Sequence, residues 1–146
     1  MRKIFISLMI AVALFLSGCV MFGKTKSLTE KAEESLQLSL EETTVLEEWD
    51  THGGFHGDGE SFLKLSCPDG FEEKLGACWQ AFPLEGAAYQ YFYEWGGVLE
   101  HPETGEKVIP EIVNGFWYFQ DTGAMNWEFA VFDCEENILY FYVWDA

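Results

Sequence analysis

The chain has 146 residues, enough for one domain or a domain with a tail. Twenty-five acidic against eight basic residues give a net charge of −17, which argues against the Lys/Arg footprint of a nucleic-acid binder and against electrostatic adhesion to anionic lipid. With 49% hydrophobic and 17% aromatic residues, it is too apolar to be disordered throughout and can supply a substantial core.

The first element is an address. Arg2 and Lys3 precede an uncharged apolar run from Ile4 to Leu16. As a helix that run spans about 20 Å, short of the roughly 30 Å of a bilayer core, and it fits the hydrophobic region of a signal peptide. It closes on Leu16-Ser17-Gly18-Cys19. That tetrapeptide resembles the lipobox of bacterial lipoproteins. The resemblance implies that residues 1–18 are a lipoprotein signal peptide and that Cys19 carries a diacylglyceryl thioether as the mature N-terminus. Two acyl chains suffice for stable anchoring where one is marginal. The expected location is extracytoplasmic, with the membrane as a partner through the lipid. Removing residues 1–18 leaves 25 acids against 6 bases, a net −19, and no arginine. Such a surface attracts cations and cationic ligands, and also serves solubility.

Residues 19–43 are expected to be the lipidated cysteine followed by a flexible tether. Ser27-Leu28-Thr29-Glu30 has the form of a capping box, and Leu28, Ala32 and Leu36 recur at helical spacing. Leu38 and Leu40 then alternate and break that period, so at most a short marginal helix is expected there.

Residues 44–146 are expected to form a compact acidic domain, since all six Trp, all six Tyr and ten of the thirteen Phe fall there. Thr44 to Trp49 and Ser61 to Cys67 read as strands, the second with Leu63, Leu65 and Cys67 on one face. Asp69 to Trp79 reads as a short helix with Asp69 as N-cap and Phe71, Leu75, Cys78 and Trp79 as its apolar stripe. Ala87 to Trp95 suits either state. Gly115 to Gln120, Asn126 to Asp133 and Ile138 to Trp144 form an antiparallel meander, turning at Asp121-Thr122-Gly123 and at Cys134-Glu135-Glu136-Asn137. The last strand is apolar on both faces, which places it inside the sheet or leaves one aromatic row for something else to cover. The expected class is α+β: an antiparallel sheet of about five strands with one or two helices on one face.

Chemistry-bearing residues concentrate in His52-Gly53-Gly54-Phe55-His56-Gly57-Asp58-Gly59-Glu60. His52, His56, Asp58 and Glu60 share even parity with Asp50, so an extended chain would point them to one side, and these residue types suit a divalent metal. Positions i and i+2 of a strand lie about 6.6 Å apart, so a common ion would need the glycines to bend the chain. A glycine-shaped turn with no ligand explains the same composition. The domain resembles a group of exported lipoproteins that share an HGGFHGDG-type segment, here residues 52–59; the resemblance supports a fold and implies no activity.

Cys67, Cys78 and Cys134 are an odd set with no close C-x-x-C spacing, and reduced, partly buried thiols are expected. Trp95, Trp117, Tyr118, Trp127 and Trp144 are compatible with a sugar-binding platform, but core filling is the favoured reading. No Ser-His-Asp or Cys-His arrangement can be placed around His52, His56 and His101. The favoured reading is a lipid-anchored, non-catalytic envelope protein whose acidic domain binds a cation, a basic protein or a glycan, with no cofactor. The alternatives are a metal-dependent enzyme or metal-binding protein using His52–Glu60, and a structural subunit of an envelope assembly.

Overall fold

The computed structural model describes residues 26–53, 58–90, 100–123 and 125–145. Six strands, β1 Thr44–Asp50, β2 Gly59–Ser66, β3 Gln80–Ala81, β4 Gly115–Gly123, β5 Asn126–Asp133 and β6 Ile138–Asp145, form one sheet in the order β1-β2-β6-β5-β4-β3, with every pair antiparallel. Among the described residues the helices are α1, Leu28–Leu36, and α2, Gly86–Tyr89. The class is α+β and mostly sheet. The C-terminal meander β4-β5-β6 is present, and β6 lies between β2 and β5, where its two apolar faces are both covered. The sixth strand is the two-residue edge β3. Among the described residues no helix is long and apolar enough to cross a membrane.

Register sorts the side chains into rows. On one face Leu65, Leu139, Phe132 and Phe116 are cross-strand neighbours, followed by Leu63, Phe141, Ala130 and Tyr118. The helix α1 covers these rows with Leu28, Ala32 and Leu36, joined by Leu38 and Leu40. The opposite face carries Phe62, Tyr142 and Phe129, with Trp144 and Trp127 in the next row, packed beneath Leu84, Ala88, Ile109 and Ile112.

Several expectations change. The segment 27–43 is not a tether. Ser27 and Glu30 form a reciprocal capping box at α1, which ends on Gln37 in the left-handed region at φ 53°. The break in helical period at Leu38 is the chain leaving the helix while still burying leucines in the same core; at 0–2% exposure, Ala32, Leu36 and Leu40 are as buried as the strands beneath them. The helices also do not share a face, because α1 packs on one side of the sheet and Ala88 of α2 on the other. Finally, Asp69 to Trp79 contains only a 3-10 turn, Phe71–Lys74. Gly70 adopts φ 79°, Leu75 returns to extended backbone, and Asp69 accepts from Asn137 Nδ2 at 3.2 Å instead of capping a helix. Phe71 still reaches the core, where its ring meets Phe132 at 5.5 Å.

The Asp121–Gly123 segment is a bulged end of β4 and not the turn itself. Of the ambiguous Ala87–Trp95 stretch, residues 91–95 lie outside the described residues, as do Cys19 and His56.

Candidate functional site

The face under α1 changes character along its length. After the two apolar rows comes a row made by Ser61, Val143, Glu128 and Gln120, cross-strand neighbours on β2, β6, β5 and β4. The next level brings Asp145 opposite Gly59. Here α1 leaves the sheet uncovered. A cleft of about 510 Å³ opens between the helix, contributing Lys31, Glu34 and Ser35, and the polar sheet floor of Ser61, Gln120, Thr122, Glu128 and Asp145, with Phe141 and Val143 as its apolar patch.

Charges in the cleft are unevenly satisfied. Lys31 Nζ lies 3.8 Å from Asp50 Oδ2, and Glu34 is paired with Lys26 at 2.5 Å. Glu128 accepts from the Ser35 hydroxyl, and no cation reaches its carboxylate among the described residues. The Tyr118 hydroxyl donates to Gln120 Oε1 at the floor, and burial, reinforced by the nearby Glu128 charge, pushes that phenol up from its ordinary range.

His52 borders this cleft. Its Nδ1 is 2.5 Å from Asp50 Oδ1 and 3.2 Å from Ser61 Oγ, and its Nε2 is 3.0 Å from Asp145 Oδ2. The His52 backbone N–H donates to Asp50 Oδ1 at 2.9 Å. A carboxylate only accepts, so both ring contacts are made together by the doubly protonated imidazolium, whereas a neutral ring donates to one carboxylate at a time. Burial pushes the Asp50 carboxyl up, but the His52 N–H groups and charge, with Lys31 behind them, outweigh it and hold it below its ordinary value. Gly59 makes this seat available: a Cβ there would stand 2.9 Å from His52 Cα and N. Contrary to the sequence expectation, Ser61, His52 and Asp145 do come within hydrogen-bond reach, but Ser61 is only 2% exposed and shares the Nδ1 side of the ring with Asp50, so its hydroxyl is not presented to a substrate.

The even-parity alignment of Asp50, His52, Asp58 and Glu60 does not survive the hairpin. Asp50 pairs with Ser61 and Trp49 with Phe62, so residues facing the same way on β1 and β2 have opposite parity. Glu60 therefore points to the aromatic face, where its charge helps push the Tyr142 phenol upward after burial, the larger cause. Asp58 is exposed. No group of three His, Cys, Asp or Glu among the described residues is placed to hold a metal ion.

The remaining candidates disperse. Cys67, Cys78 and Cys134 are unbridged: the first is buried, the second exposed, the third half-buried. Trp117, Tyr118 and Trp127 are 4–7% exposed and fill the core, so they offer no open stacking surface, and only Trp144 of that set is half-buried. Trp95 lies outside the described residues.

Glu128, Asp145, Gln120, Thr122 and Lys31 escaped sequence reading. A signal for the sheet floor existed in the alternate positions of three strands: Tyr118-Gln120-Thr122, Ala130-Glu128-Asn126 and Phe141-Val143-Asp145 each turn polar toward one end. Only the register shows that these ends coincide. No protein-family model, curated protein or solved structure matches the chain.

Proposed function

We propose that this is a lipid-anchored extracytoplasmic binding protein, non-catalytic, whose acidic α+β domain holds its ligand in the cleft beside α1. The observation that carries the binding role is the cleft itself: a polar floor interrupts an otherwise apolar sheet face, and a helix walls it. The tetrapeptide Leu16-Ser17-Gly18-Cys19 after a short apolar run supports the anchor. The Ser61 hydroxyl beside His52 is only 2% exposed and competes with Asp50 for one ring nitrogen, which supports binding over hydrolysis.

The anchor is tested by expressing the full chain in a bacterial host with a palmitate analogue. Label in the membrane fraction that disappears in Cys19→Ser is the expected result; an unlabelled wild-type chain would refute the anchor. Hydrolysis by the purified protein that vanishes in His52→Ala would refute the non-catalytic role.

A further inference from the structure

The cleft restricts what it can hold. Its volume, about 510 Å³, lies within the roughly 300–1,000 Å³ of small-molecule pockets. Its accessible neutral donors and acceptors include Gln120 and Thr122, groups that exchange hydrogen bonds with hydroxyls. Val143 and Phe141 give an apolar strip that a carbon skeleton can lie against. Its charge balance is specific. Glu34 already has Lys26, Lys31 leans toward Asp50, and Asp145 is held by the His52 ring. Glu128 alone, half-buried in the middle of the floor, has a hydroxyl partner and no cation among the described residues. A half-buried carboxylate gains most from a cationic donor, because a charge-assisted hydrogen bond replaces the water it has lost. An anion would meet the carboxylates of Glu128, Glu34 and Asp145 at once.

We infer that the cleft binds a small polyhydroxylated molecule bearing one protonated amine, the chemical class of an amino sugar. The ammonium group sits on Glu128, with Asp145 as the second carboxylate within the same cleft, and hydroxyls engage Gln120 and Thr122. This rests on the proposed binding role and adds the ligand class to it. The opposite sheet face, where Glu60 lies among aromatic rings, takes no part.

The test uses the full-length lipidated protein in neutral detergent micelles, titrated with glucosamine, glucose and spermidine while amide resonances are followed by NMR. Glucosamine and glucose differ in one substituent, an amine against a hydroxyl. Expected is saturable movement of the Gln120, Glu128, Val143 and Asp145 amides with glucosamine, with glucose at least about tenfold weaker, the loss appropriate to one charge-assisted hydrogen bond. Glu128→Gln, which keeps the acceptor for Ser35, should weaken glucosamine about tenfold or more and leave glucose unchanged. Glu60→Gln should change neither. Equal binding of glucose and glucosamine, or glucosamine shifts that map elsewhere, overturns the assignment of an amine on Glu128. Spermidine binding in the cleft without glucosamine overturns the ligand class while leaving an acidic binding domain standing. No shift at the cleft with any of the three overturns both.

Discussion

The two faces of the sheet are built from the same strands, yet the centres of their rows differ at one end. Under α1 the rows go from Leu65, Leu139 and Phe132 through Leu63, Phe141 and Ala130 to Ser61, Val143 and Glu128. On the other face the row of Lys64, Tyr140 and Val131 gives way to Phe62, Tyr142 and Phe129, then to Trp144 beside Trp127, whose rings lie 6.5 Å apart at 13°. At the same end of the molecule, one face is therefore a polar floor and the other an aromatic wall. Fraying cannot produce this pattern, since frayed strand ends would be polar on both sides. The polar end under α1 is a feature of the sequence, backed by a layer of stacked rings.

The comparison breaks first if the aromatic wall is not structural. Trp127→Ala should cost about 3–5 kcal/mol in chemical denaturation, the range for removing a buried aromatic side chain. Leu36→Ala tests the other cover: about 2–5 kcal/mol is expected if α1 belongs to the core, and almost nothing if residues 27–43 were a tether. A third measurement sharpens the cleft boundary. Gly59→Ala forces a Cβ into His52 and should cost about 1–3 kcal/mol as an overpacked contact, with NMR shifts confined to His52, Asp145 and their neighbours.

Acidification gives a smaller effect. Asp50 is held below its ordinary value in the folded chain, so its contribution is full above the unfolded-state pKa and is lost as the pH falls through the folded one. Its side chain is 37% exposed, which keeps the contribution below about 1 kcal/mol. The urea midpoint of Asp50→Asn should accordingly drop less than that of the wild type between neutral pH and about pH 3, the region below the ordinary carboxylate values. Thiol labelling changes no stability but reads the burial gradient directly. Cys78 should react first with a disulfide reagent, Cys134 more slowly, and Cys67, pushed up to about 11 chiefly by burial, only as the chain unfolds.

Much of this architecture could be read from alternation alone. Gly115 to Gln120, Asn126 to Asp133 and Ile138 to Trp144 announced the meander, and the two-sided apolarity of the last strand placed it between neighbours, because side chains on a strand alternate faces and both had to be buried. The capping box at Ser27 and Glu30 was equally plain. What local reading lacked was a reason for α1 to persist: a nine-residue helix is marginal alone and holds here because Leu28, Ala32 and Leu36 have a sheet to cover. Asp69 to Trp79 shows the converse, where a plausible stripe lost to a left-handed Gly70 and to the turn that brings Phe71 onto Phe132.

The sequence by itself determined the class, the positions of the main strands along the chain and the acidic character, all of which are local periodicities or sums. Tertiary structure decided the site. Whether His52 shares a face with Glu60 or with Ser61 depends on one unit of hairpin register, and whether Glu128 meets Ser35 depends on a helix ninety-three positions away packing across the strands. Register and packing are pairwise properties of distant residues, and no window along a single chain contains both partners.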